Sequence, residues 1–435
     1  MYTNPTQMEP LLPPIEGVPP HIVDGTRKIT RIAEDIVRKD AALHHAIHPV
    51  TARTVAALVD SMNCYYSNLI EGHGTTPADI EKALNEDFST NGQQRNMQML
   101  SLAHIRTERM MKQLLRDEPG TDVCSTQFLS WLHKEFYSGM DRSAWGTENI
   151  PDFTPGRIRT PDDTNNGLVT LGRHDGAHVP PVPASLSLFL DKFHRVYTPS
   201  DRKTIQERLI MAAASHHRLA WIHPFMDGNG RVTRLFSVAY LHVHCGIGKN
   251  GLWSLSRGFA RPLEATGQQY KHMMMVADAS RKGDLDGRGN LSAQALVDFC
   301  EYFLRVTEDQ IDFMSKLFDF DAMQDRIRAY VGIALSGKVK PQAEFLLREA
   351  FARGEFERGE APRITGLPER TARDVLASLI DLGLLASDTP KGAVSMRFPS
   401  HSLHFLLPGV FPSPSRPFDR HYGANAHRRR EINPQ

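Results

Sequence analysis

The stretch His223-Pro224-Phe225-Met226-Asp227-Gly228-Asn229-Gly230-Arg231-Val232-Thr233-Arg234 puts three kinds of chemistry into one turn and the start of one helix. His223 carries the side chain whose ordinary pKa lies nearest neutrality, so it can take up a proton there. Asp227 offers a hard anionic oxygen of the kind Mg²⁺ accepts when phosphates complete its shell. Gly228, Asn229 and Gly230 form a turn whose backbone amides can converge on an anion without Cβ obstruction. Apolar periodicity resumes at Val232, Leu235, Phe236, Val238, Ala239 and Leu241, which predicts a helix opening directly after the turn. A helix N-terminus adds free N–H groups and a dipole that attract phosphate. Arg231 and Arg234, three apart, sit on neighbouring ridges of that helix, and their planar forks suit phosphate oxygens. Singly, His-Pro is an ordinary helix end, Gly-Asn-Gly an ordinary turn and the arginine pair a solvated face. At this fixed spacing they point together to nucleotide-transfer chemistry.

The rest of the composition sets bounds. A chain of 435 residues predicts two or three domains. The net charge of +1 gives no global electrostatic pull toward nucleic acid or an acidic surface. Cys64, Cys124, Cys245 and Cys300 are far apart and form no Cys-x-x-Cys pair, which argues against a structural zinc site and against a disulfide scaffold. The Pro-rich start has no apolar signal-peptide core, and no apolar run approaches a membrane span, so the expected compartment is the cytoplasm.

Working outward, apolar spacing predicts helices over 26–43, 55–70, 76–118, 125–137, 185–197 and 203–221, the last delivering Trp221-Ile222 into His223. Ser67-Asn68-Leu69-Ile70-Glu71-Gly72 ends the second of these; Ser67 and Glu71, four apart, share a face. An acidic residue at a helix C-terminus is locally unfavourable, so the simple alternative is an ordinary last-turn Glu. Between 150 and 184, Gly156-Arg157-Ile158-Arg159 and Leu168-Val169-Thr170-Leu171-Gly172 alternate between turn residues and suggest a β-hairpin. His216 and His217 have no metal-ligand spacing to His223 and read as packing or hydrogen-bonding residues. Further on, a helix is expected from Gln268 to Ala277, a turn at Asp284-x-Asp286-Gly287, and helices over 291–303 and about 307–334. Residues 340–385 give three short helices, the last with Pro368 at its first position and Gly383 beyond its end. Leu376, Leu379 and Leu382 give that helix the look of a winged-helix recognition helix, with 386–399 as the wing. Over 341–400 there are 8 Lys/Arg against 9 Asp/Glu, not the basic footprint of a strong duplex binder.

The run 223–234 resembles the signature of the Fic family, His-x-Phe-x-(Asp/Glu)-Gly-Asn-Gly-Arg-x-x-Arg, with every fixed position present. The resemblance covers roughly 55–305. It implies a mainly α fold: a Fic helical core with a small β-hairpin flap, followed by a C-terminal winged helix-turn-helix module. The corresponding division is a flexible lead (1–22), an N-terminal helical region (23–118), the Fic core (119–320), the winged-helix module (335–405) and a disordered tail (406–435). The activity implied is transfer of AMP from ATP to a Ser, Thr or Tyr hydroxyl of a target protein. In that reading His223 is the catalytic base and Asp227 holds Mg²⁺. The amides of Gly228, Asn229 and Gly230 cradle phosphates, Arg231 steadies the leaving pyrophosphate, and buried Phe225 fixes the loop. Ser67 and Glu71 match the family's inhibitory motif, in which the Glu pairs with the second motif arginine, here Arg234, and fills the room of a γ-phosphate. Leu171, Gly172, Arg173 and His174 align with the tip of the flap, which registers target backbone. Tyr270 falls beside the adenine or ribose, with a plain core tyrosine as the alternative. The implied partners are ATP and an unnamed target protein, with self-modification and a homodimer left open. Two other functions stay open: removal of AMP from a modified protein, and a nucleotide-gated regulator that binds DNA through its C-terminal module.

Overall fold

Helices form where apolar residues recur at helical spacing and stop where capping residues intervene. The computed structural model describes residues 23–147, 150–163, 167, 169, 181–263, 266–287, 289–389 and 391–412. The N-terminal helices are α1 (Val23–Ala46), α2 (Pro49–Ile70), α3 (Pro77–Leu84) and α4 (Gly92–Asp117). The central group is α5 (Thr126–Ser138), α6 (Leu186–Tyr197), α7 (Ile205–Ile222), α8 (Asn229–Tyr240), α9 (Leu255–Phe259), α10 (Tyr270–Ala277) and α11 (Ala293–Leu317). Then come α12 (Phe320–Ala329), α13 (Ala343–Arg353), β1 (Glu355–Phe356), α14 (Ala361–Thr365), α15 (Glu369–Asp381), β2 (Leu385–Ala386), β3 (Val394–Met396) and α16 (Ser400–Leu406). The chain is mainly α, and among the described residues a large buried apolar cluster draws members from Ile29 to Val410, beside a small second one of Cys64, Ile80 and Ile105.

Three expected helices divide or merge for identifiable reasons. The pattern at 76–118 splits into α3 and α4. Thr76 closes a capping box with Asp79, and Asn91 opens α4 by accepting the Gln94 amide at 3.0 Å. The helices expected at 291–303 and 307–334 are instead continuous through α11, because no breaker lies between them. The break falls at Asp319, whose carboxylate takes the Ala322 amide at 2.9 Å to start α12. The expected turn at 284–287 is present, with Asp286 accepting the amides of Lys282 and Gln294 and the hydroxyl of Ser292.

The hairpin expected between 150 and 184 is not seen among the described residues, where 150–163 form turns without a ladder. Its tip residues Leu171, Gly172, Arg173 and His174 lie outside the described residues, as do 1–22 and 413–435. The antiparallel sheet that is present belongs to the C-terminal region, in the order β1-β3-β2, with Leu385 opposite Met396 and Phe356 opposite Val394. Pro368 caps α15 rather than occupying its first position.

Helices α7 and α8 pack on each other; α5 lies against α8, and α2 against α4 and α9. This arrangement brings the end of α2 and the start of α8 together. The chain remains packed beyond 406, where a disordered tail is expected. Leu406, Leu407 and Val410 are buried. The Val410 carbonyl accepts the Tyr66 hydroxyl at 3.0 Å, and Gly409 O accepts Arg257 Nη2 at 2.9 Å. Phe411 stacks parallel to Tyr66 with centroids 6.4 Å apart. These contacts are distant in sequence, so local composition could not announce them. Replacing Leu407, 1% exposed, with Ala is expected to cost about 2–5 kcal/mol in urea unfolding; a change below about 0.5 kcal/mol would mean this segment is not part of the core.

Candidate active site

Helix α7 terminates at His223, which takes the left-handed conformation (φ 51°, ψ 62°) while its N–H still reaches Leu219 O at 3.1 Å. His is among the non-glycine residues that tolerate this region, and Pro224 then prevents the helix from continuing. The imidazole Nδ1 lies 3.3 Å from Ala220 O. A carbonyl only accepts, so Nδ1 donates here, which makes Nε2 the nitrogen a base would use.

The turn is closed by Asn229. Its Oδ1 accepts the Phe225 amide at 2.9 Å and its Nδ2 donates to Phe225 O at 2.7 Å. Phe225 is fully buried, as expected, and stacks on His133 at 4.1 Å between centroids. Gly228 is the N-cap of α8 at φ 78°, and a Cβ there would stand 2.7 Å from the Tyr137 hydroxyl. The position therefore admits only glycine. The first helical bond of α8 runs from Val232 N to Gly228 O at 3.1 Å. The amides of Asn229, Gly230 and Arg231 precede it and are the first-turn donors that an anion can use.

Arg231 and Arg234 point from this turn toward the end of α2. Arg234, 3% exposed, donates through Nε to Ser67 Oγ at 2.9 Å and through Nη2 to Glu71 Oε1 at 2.7 Å. The structure thus brings Ser67, Glu71 and Arg234 together. Burial would raise the Glu71 carboxyl, but Arg234 and then Arg231 outweigh it and hold it down at about 2. The carboxylate also fills the space over Gly230: a Cβ on that residue would collide with Glu71 Oε1. Arg231, also buried, donates to Tyr137 OH at 3.3 Å and to His73 Nε2 at 2.7 Å, and lies 5.1 Å from the Phe136 ring centroid.

Asp227 is half-buried, with Tyr137 OH 3.5 Å from its Oδ2. Among the described residues no three His, Cys, Asp or Glu side chains cluster as a metal cage. A cation here would be held by the single Asp227 carboxylate together with phosphate oxygens and water, which is how Mg²⁺ binds. Asp227 therefore fits the expected role.

Tyr270 is packed beside Arg234, whose guanidinium acts on its hydroxyl. It is 7% exposed and its hydroxyl donates to His216 Nε2 at 2.9 Å, while His216 Nδ1 bonds Ser237 Oγ at 2.6 Å. His217 is likewise structural, 3.0 Å from Asp278.

Three supporting residues escaped the sequence reading. Arg159, 2% exposed, donates to His223 O at 2.8 Å, Gly167 O at 2.9 Å, Pro181 O at 2.5 Å and Ile222 O at 3.3 Å, while its amide reaches Pro224 O. It satisfies the last carbonyls of α7 and pins the turn. Burial lowers its guanidinium to about 10, so it stays charged at neutral pH. His133 donates from Nε2 to Asp227 O at 3.0 Å and accepts the Gly156 amide at Nδ1 at 2.7 Å. Burial lowers it to about 4, so it is the neutral ring this geometry needs. Tyr137 is the third; its spacing of four from His133 on an amphipathic helix was the available signal.

The Fic/DOC family model matches residues 124–241, the stretch that carries this turn and both helices beside it. Particular relatives are similar over a shorter stretch. A protein adenylyltransferase Fic from Drosophila ananassae is 43% identical over 60 residues, and that from Drosophila melanogaster is 42% identical over 60 residues. Each match covers 14% of this chain and 12% of the relative's length. A Fic family protein from Desulfovibrio desulfuricans G20 is similar with a TM-score of 0.49 at 16% identity, over 88% of this chain and 98% of that one. A Fic domain containing signaling protein from Bacteroides thetaiotaomicron VPI-5482 gives 0.49 at 19% identity, over 66% and 96%.

Asn229→Ala is expected to leave two buried backbone groups of Phe225 unpaired and to cost about 2–4 kcal/mol. Chemical denaturation measures this, and a variant as stable as the parent would remove Asn229 as the closure of the turn.

Proposed function

We propose that this chain transfers AMP from ATP to a hydroxyl of a protein, and that Glu71 restrains the reaction. The observation that carries the reading is the presence, in one turn, of an imidazole tied to Ala220 O through Nδ1 and a helix start whose first-turn amides precede the first helical bond. In this reading His223 Nε2 takes the proton of the incoming Ser, Thr or Tyr hydroxyl, a contribution of about 10²–10⁴-fold. The oxygen attacks the α-phosphorus, the bond to the β-phosphate oxygen breaks, and pyrophosphate leaves. The amides of Asn229, Gly230 and Arg231 and the Arg231 guanidinium hold phosphate oxygens. Mg²⁺ at Asp227 would supply charge neutralisation between the phosphates.

Arg234 is the natural partner of a γ-phosphate, and Glu71 holds it instead. A charge-assisted contact of this type contributes roughly 1.5–3 kcal/mol, which corresponds to about one to two orders of magnitude of activity. Residues 343–396 follow the order α13-β1-α14-α15-β2-β3, which supports a winged-helix module. Its α15 carries Arg370 and Arg373, the latter paired with Glu369, and the balanced charge of the module favours a protein contact over duplex binding.

Glu71→Gly is expected to raise self-labelling from α-labelled ATP about 10–100-fold over the parent, and His223→Ala in that background to abolish it with the fold intact by circular dichroism. Equal labelling by Glu71→Gly and the parent would remove the restraint, and undiminished transfer by His223→Ala would remove the base. The restraint should also be insensitive to mild acid. Glu71 lies below its ordinary value of 4.5, so its contact with Arg234 is fully present above that pH and is lost only as pH falls through about 2. His73, beside it, is lowered to about 4. The ratio of ATP affinities between Glu71→Gly and the parent, measured calorimetrically from pH 8 to pH 5.5, should therefore stay constant; collapse toward unity at pH 5.5 would contradict the assignment.

A further inference from the structure

Helix α2 ends in a turn that fixes two side chains at once. Glu71 is its C-cap and Gly72 follows at φ 85°. The Gly72 amide reaches Leu69 O at 3.0 Å and the His73 amide reaches Asn68 O at 2.9 Å, the crossed pair of bonds of a Schellman motif. The Asn68 side chain is itself tied to Ser101 Oγ at 3.2 Å. Glu71 and His73 are therefore held rigidly by one terminus, and each meets a different motif arginine. Glu71 binds Arg234, and His73 Nε2 lies 2.7 Å from Nη2 of Arg231.

A guanidinium can only donate, so His73 must accept through Nε2 and carry its proton on Nδ1. Its surroundings favour that neutral form: burial first, then the Arg231 charge, lower the ring to about 4, with Glu71 opposing. The contact uses one of the five N–H bonds of Arg231, and Tyr137 OH takes another. The Nε–H remains buried without a hydrogen-bond partner. Such an orphaned donor on a 6% exposed side chain is costly unless a ligand completes it. His73, Tyr137 and the Phe136 face together fix the plane of the guanidinium and leave that donor and two further N–H bonds for an anion.

We propose that His73 is the positioning residue for Arg231, holding its guanidinium so that the remaining N–H bonds face the phosphates of a nucleotide. The inference rests on the adenylyl-transfer reading for the identity of that nucleotide. One helix end then does two opposite things: Glu71 withholds Arg234 from phosphate, while His73 prepares Arg231 for it.

The test uses the full chain carrying Glu71→Gly, alone and with His73→Ala or His73→Gln added, and measures ATP affinity by calorimetry, AMP transfer by intact mass, and thermal stability. Gln keeps an acceptor oxygen within reach of Arg231; Ala does not. His73→Ala is expected to weaken ATP binding about tenfold relative to Glu71→Gly alone, with an unchanged melting temperature, and His73→Gln to recover affinity to within about threefold. Equal or tighter ATP binding by the His73→Ala variant overturns the proposal whether or not AMP is transferred, and so does a Gln variant as weak as Ala. A tenfold affinity difference with no AMP transfer in any variant supports the positioning role and overturns only the adenylyl-transfer reading.

Discussion

Closure of the turn between α7 and α8 is the constraint on which the site depends. Asn229 grips both backbone groups of Phe225 from inside the turn, and Arg159 grips the carbonyls of Ile222 and His223 from outside it. Between these two clamps His223 is held in a backbone conformation that few residues adopt. The conformation ends α7 at His223 and lets α8 begin at Asn229, so the imidazole and the first-turn amides belong to one short turn.

The second organising element is α2, which acts through both ends of its C-terminal half. Ser67, Glu71 and the following His73 face the arginines of α8. Tyr66, one residue before Ser67, carries the packed segment 407–411. The helix therefore lies between the site and the C-terminal part of the chain. Its charged end is about one-third exposed at Glu71, and the guanidiniums of Arg234 and Arg231 outweigh the carboxylate's desolvation.

Much of the site was legible in the sequence because it is local. Residues 223–234 carry their own helix stop, turn and helix start, and Phe225 reads as the buried anchor of that loop. Glu71 and Arg234 are 163 residues apart, and only the resemblance of the short segment 67–72 to an inhibitory motif joined them. Alternation over 156–159 suggests a strand, whereas Arg159 pairs at long range with the carbonyls of Ile222 and His223. His133 and His73 look like unremarkable histidines until tertiary packing places a carbonyl or a guanidinium beside them. Tyr270 reads equally as a ligand contact or a core residue, and its bond to His216 comes from a distant helix that local sequence does not announce. The packed segment 407–411 was missed for the same reason: its partners, Tyr66 and Arg257, come from distant helices.

The central claim is that a triphosphate and a neutral imidazole meet at the turn 223–231. A crystal structure of the Glu71→Gly protein with a non-hydrolysable ATP analogue tests it most directly. The account predicts phosphate oxygens on the amides of Asn229, Gly230 and Arg231, with the α-phosphate within reach of a hydroxyl bonded to His223 Nε2. A nucleotide bound away from α8, or an imidazole turned from the phosphates, would contradict it.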